Sequence, residues 1–167
     1  MENMPENSSS KNQRPKKLLL FIVSIFILSA IIFALKISQG DAHAEEWNSY
    51  ADQLRPLLEQ QDSLINRISM DPDESHIPTY LVEAQNLEIK IKAIDGENGE
   101  IDNIHSLMEQ RAGFIVQALV ILSQSEDKKA PDVQKKVGKL ASESQRMNAE
   151  FGTLRDQYAE KHDFVIQ

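Results

Sequence analysis

The chain has 167 residues, no cysteine, 18 Lys+Arg against 26 Asp+Glu, and a formal net charge of -8. That length makes one ordinary domain at most. Without cysteine there is no disulfide scaffold, no thiolate-ligated zinc and no thiol nucleophile. The acidic balance argues against nucleic acid, whose binders need clustered Lys and Arg to displace counterions.

Charge divides the chain into three regions. Residues 1–17 hold no apolar residue but Met1 and Met4, and carry Lys11, Arg14, Lys16 and Lys17 against Glu2 and Glu6. They cannot bury enough surface to offset chain entropy and read as a disordered cytoplasmic tail. Leu18 to Leu35 is an uncharged run in which only Ser24 and Ser29 are polar. As a helix it rises about 27 Å at ~1.5 Å per residue, close to the ~30 Å hydrocarbon core of a bilayer. The serine hydroxyls return to backbone carbonyls, Lys36 snorkels and Ile37 extends the span to 18–37. A helix apolar all round belongs in lipid when the chain is too small to enclose it.

The four basic residues before the run, against Asp41, Glu45 and Glu46 after it, put the N-terminus in the cytoplasm and residues 38–167 outside. The expectation is a retained signal-anchor in contact with lipid through Leu18 to Leu35. The alternative is secretion after cleavage near Ala44, because Ala42-His43-Ala44 has the look of a signal-peptidase site.

From residue 42 onward the apolar spacing is helical. Helix 1, about 42–69, carries Trp47, Tyr50, Leu54, Leu57, Gln61, Leu64 and Ile68 on one seam. Pro56 removes a backbone donor and predicts a kink or restart near Arg55. Helix 2, about 78–94, opens on Pro78 and ends in the segment Asp95–Glu100. Helix 3, about 101–125, is polar only at Gln117 between Ala112 and Leu122. Helix 4, about 131–162, opens on Pro131 and repeats Val133, Val137, Leu140, Ser144, Met147, Phe151, Leu154 and Tyr158 in heptads, a pattern that asks for a partner helix along its length. The short loops favour antiparallel neighbours. The fold class is therefore all-α: one N-terminal transmembrane helix, then an antiparallel four-helix bundle, coiled-coil-like and extracytoplasmic. A three-helix bundle with a loose helix 2 and an intermolecular coiled coil are the competing architectures.

Sites are few. Asp102-x-x-His105 approaches the Glu-x-x-His metal pattern of helical bundles without matching it. Asp95–Asp102 fails as a calcium loop, since placing Gly99 sixth puts Ile94 first and His105 twelfth. No nucleophile elbow, zinc motif or phosphate loop is present. The chain reads as a non-enzyme with no cofactor and no metal. Two constellations remain. Gln61, Arg111 and Ser144 interrupt three apolar seams at one height, which predicts a polar layer serving register or an anionic ligand. Helix 2 is shorter than helices 1 and 4, which predicts a partly uncovered groove lined by Trp47, Tyr50, Phe151, Leu154 and Tyr158, with Ile101 and Ile104 opposite. Gly138 and Gly152 on helix 4 suit a close helix approach, with self-association as one route.

In outline, a membrane helix followed by four long helices is similar to the extracytoplasmic four-helix sensor modules of bacterial receptors. The likeness is architectural, and a second membrane span and a signalling domain are missing. The leading functional expectation is a membrane-tethered interaction module, an accessory or scaffold subunit that binds a partner protein in the cell envelope. The alternative is a small-molecule sensor that uses the polar layer.

Overall fold

The computed structural model describes residues 14–71, 73–96 and 98–166, with side chains from Ala42 onward. The chain divides into two compact units, Met1–Asp41 and Ala42–Gln167. Four helices follow one another: α1 (Arg14–Met70), α2 (Ile77–Lys92), α3 (Gly99–Gln124) and α4 (Pro131–Lys161), with a 3-10 turn at Glu74–His76 before α2. Among the described residues there is no strand, in keeping with the all-α expectation. Among the residues whose side chains are described, no helix is long and apolar enough to cross a membrane. The tail expected at 1–17 and the span expected at 18–37 fall outside the residues whose side chains are described.

Of the kink or restart expected at Pro56, the restart does not occur: α1 runs through the proline without a break. The reason lies in where the proline faces. Pro56 and Asp52, whose carbonyl loses its partner, are both exposed, so water can satisfy the orphaned acceptor. Leu54, Leu57 and Leu58 hold the same stretch against the core.

Each helix start has an identifiable cause. Pro78 and Pro131 occupy the first turns of α2 and α4, where a missing N–H costs nothing. Asn98 caps α3: its side-chain carbonyl accepts from the Glu100 and Ile101 amides at 3.0 Å each, two of the four donors a helix start leaves open. Gly96 lets the preceding strand of chain pass close by. A Cβ there would lie 2.4 Å from Asp102 Oδ1 and 2.6 Å from the Asp102 amide nitrogen.

The α4 terminus is a Schellman turn. Asp163 sits in the left-handed region at φ 60°, the Asp163 amide donates to Glu160 and the Phe164 amide to Ala159. That reversal folds residues 164–166 back onto the bundle, with Phe164 packed against the core.

The core has two parts. One gathers Trp47, Tyr50 and Leu54 of α1, Ile91 of α2, Ile101, Ile104, Leu107, Met108 and Ala112 of α3, and Met147 and Tyr158 of α4. The other joins Leu64 of α1, Ile77, Ala84 and Leu87 of α2, and Leu119 of α3, with no residue from α4. Thus α1 and α3 run through both parts, and α2 and α4 each pack on α3 while scarcely meeting each other.

Candidate functional site

Trp47, Tyr50 and Leu54 follow 3-4 spacing on α1, and Phe151, Leu154 and Tyr158 do so on α4. The two seams bring the aromatics together. The Trp47 ring lies 5.4 Å from Tyr50, 6.4 Å from Phe151 and 5.8 Å from Tyr158, centroid to centroid. Leu154 turns toward α3 and lines a separate shallow depression with Ile104.

The groove expected from the short second helix is relocated. Trp47, Tyr50 and Tyr158 are buried even though α2 stops at Lys92. Ile91 of α2, Ile94 just beyond it and Phe164 of the returning C-terminal segment join the same core cluster, and the Phe164 ring lies 5.8 Å from Tyr158. What stays open is a cavity of about 300 Å³ on the α1–α4 face, with Trp47, Leu54, Leu58 and Phe151 as its floor and Ile166 along one edge. Arg55, Glu59, Asp62 and Arg155 line it as well. Arg155 bonds to Asp156 at 2.8 Å. The site thus offers an apolar floor with charges of both signs around it.

Gln61, Arg111 and Ser144, the residues of the expected polar layer, are each buried, at 2%, 7% and 8% exposed. No hydrogen bond joins the three among the described residues. Arg111 instead pairs with Asp62 of α1. The guanidinium, for which the sequence left register or an anionic ligand open, has an internal anion in Asp62, whose side chain is 61% exposed. The Gln61 carbonyl oxygen is buried without a partner.

The sequence pattern offers the histidines only as weak metal candidates, with solvated or boundary positions as the plainer reading, and does not give their partners. His105 is buried and its Nδ1 lies 3.1 Å from the Tyr50 hydroxyl. With Tyr50 as donor, Nε2 carries the proton and faces Glu109 Oε1 at 3.8 Å. Burial, with Asp102 and Glu109 nearby, pushes the Tyr50 hydroxyl well above its ordinary value, so it stays a donor at any physiological pH. The His43 and His162 rings lie 3.8 Å apart between centroids, tilted at 42°. His43 Nδ1 meets Glu46 at 3.1 Å and His162 Nε2 meets Glu100 at 3.4 Å. Asn98 ties this end together, donating to Glu46 at 2.8 Å and to the Tyr158 hydroxyl at 3.3 Å. Lys161 bonds to Glu100 at 2.7 Å and holds its carboxyl below the usual range. Among the described residues no group of three or more acidic or histidine side chains is arranged to hold a metal.

No family model, curated protein or solved structure matches the chain. The geometry of the α1–α4 cavity and the sequence pattern are therefore the grounds for a functional reading.

Proposed function

We propose that the chain is a membrane-tethered helical interaction module, an accessory or scaffold subunit that receives a segment of a partner protein in the α1–α4 cavity. The observation that carries this reading is the cavity itself. Trp47 and Phe151 supply rigid apolar area at low entropic cost, the kind of anchor that dominates protein interfaces. Arg55 and Arg155 add donors suited to carboxylates, and Glu59 and Asp62 add acceptors. A partner segment with an apolar side chain flanked by an acidic residue fits that combination.

The tether is read from sequence. Leu18 to Leu35 has the length and apolarity of a span, and the basic residues before it orient the bundle to the outer side. A protein fixed in a membrane beside its partner needs little intrinsic affinity, because tethering raises the effective concentration. A single modest cavity is then sufficient.

Two measurements test the reading together. A tag after Gln167 is expected to be digested by protease in intact spheroplasts, and the full chain is expected to remain in the membrane fraction after a carbonate wash. A partner that co-purifies with the full chain is expected to be lost in the Arg55→Glu, Arg155→Glu double variant while the melting temperature stays unchanged. Protection of the tag contradicts the sidedness. A partner retained by the double variant contradicts the cavity.

A further inference from the structure

The heptads of α4 ask for a companion helix along its whole length. Helix α3 packs on α4 and Val133 near the start of α4 is buried, but the core cluster around Leu64 and Leu119 takes no residue from α4. Val137 and Leu140, on the α4 seam, are only half-buried. Between α1, α3 and α4 at this level lies a cavity of about 260 Å³, walled by Ile65 and Ile68, by Phe114 and Leu122, and by Val137 and Leu140.

Its chemistry is narrow. None of its lining residues is ionisable. Ser144 lines it and is more than nine-tenths buried. Ser69 and Gln145 add the remaining polar atoms, and both residues are exposed.

The geometry points to a binding site for a small, neutral, mostly hydrocarbon molecule that carries one oxygen function, the class of a medium-chain alcohol. The hydrocarbon lies among the aliphatic walls and the oxygen meets Ser144. Three physical arguments select this occupant. A helix, about 10 Å across with its side chains, is too wide for this volume. The volume exceeds the roughly 150 Å³ of an engineered apolar cavity that stays dry and takes up benzene, so one ring or one short chain fits. A charged head would meet no counter-charge here and would be desolvated at a cost. This site lies apart from the α1–α4 cavity and does not depend on the partner-binding reading.

The test uses the full-length chain in nanodiscs of deuterated lipid, with labelled Ile, Leu and Val methyl groups observed by NMR. The probes are 1-octanol and n-octane. Saturable shifts at Ile65, Leu122, Val137 and Leu140 are expected with 1-octanol, together with direct magnetisation transfer from its chain. Ser144→Ala is expected to weaken 1-octanol roughly two- to tenfold, the worth of one neutral hydrogen bond, and to leave n-octane unchanged. Ala141→Phe, or Val137→Phe should the first fail to fold, is expected to fill the space and abolish both. Shifts that rise linearly, or that appear equally at the exposed Val82 and Ile89, mean simple partitioning and overturn the assignment. So does a concentration-dependent doubling of mass that Ala141→Phe removes, because a second copy then occupies the cleft.

Discussion

At the scale of single residues, the unusual side chains are polar ones placed where apolar ones are expected. Tyr50 and His105 share a buried hydrogen bond at 3.1 Å. Tyr50→Phe keeps the ring and deletes the donor, leaving His105 Nδ1 unsatisfied. The expected loss is about 1–3 kcal/mol, the cost of a buried unpaired group, read from the urea midpoint at constant slope. Asp163 holds the Schellman turn at a φ of 60°, where glycine is easier. Asp163→Gly is expected to stabilise the C-terminal return by up to about 1 kcal/mol, and Asp163→Val to destabilise it. The α1–α2 turn responds to pH. The Tyr80 hydroxyl, and after it His76, hold the Asp71 carboxyl down at about 2. The His76 ring is raised from 6.5 by its bond to Asp71 and by that carboxylate's charge. The Asp71 contribution is full above its ordinary value of 3.8 and is lost as pH falls through about 2. The His76 contribution is full below 6.5 and is lost as pH climbs through its higher folded value. Amide exchange across Glu74–Tyr80, corrected for intrinsic rate, is therefore expected to be slowest between about pH 4 and 6.5. A pH-independent profile contradicts the clasp.

At the scale of elements, the helix starts separate what the sequence reveals from what it conceals. Pro78 and Pro131 mark their helices directly, and the 3-4 seams place Trp47, Tyr50, Leu54 and Leu64 in the core. The same counting puts Gln61, Arg111 and Ser144 inside, because a seam position faces inward whatever occupies it. It does not give their partners. Asp62 lies off the seam, and its bond to Arg111 depends on the register between two helices. His43 and His162 meet although they lie near opposite ends of the Ala42–Gln167 sequence, beyond the reach of any local pattern. The C-terminal return was hidden because Asp163 stands where glycine would have signalled the turn. Asn98 was legible in principle, as a capping residue before an acidic first turn. Asn98→Ala is expected to cost about 1 kcal/mol or more in thermal unfolding, since it removes the α3 cap and the ties to Glu46 and Tyr158. Gly138 and Gly152 show the opposite case. A Cβ at either meets nothing within 4 Å, so within this chain no helix makes the close approach their spacing suggested. Gly138→Ala is expected to raise stability by about 0.5–1 kcal/mol through helix propensity alone. A loss of stability would show that another molecule packs there.

At the scale of the whole protein, the two halves of α4 divide the labour. Its C-terminal half completes the aromatic end of the core, and the α1–α4 cavity opens beside it. Its N-terminal half borders the apolar cleft. Tethering by Leu18 to Leu35 would hold both near a membrane, where a partner segment and an apolar small molecule are each at hand. The most direct test of the central claim is site-specific photo-crosslinking in cells. A benzophenone side chain is placed at Ala51 or Leu58, in the α1–α4 cavity, or at Val82 or Ile89, on the exposed face of α2. The account expects one discrete crosslinked protein from the cavity positions, lost on charge reversal of Arg55 and Arg155, and none from α2. The same product from both faces, or none from the cavity, would contradict it.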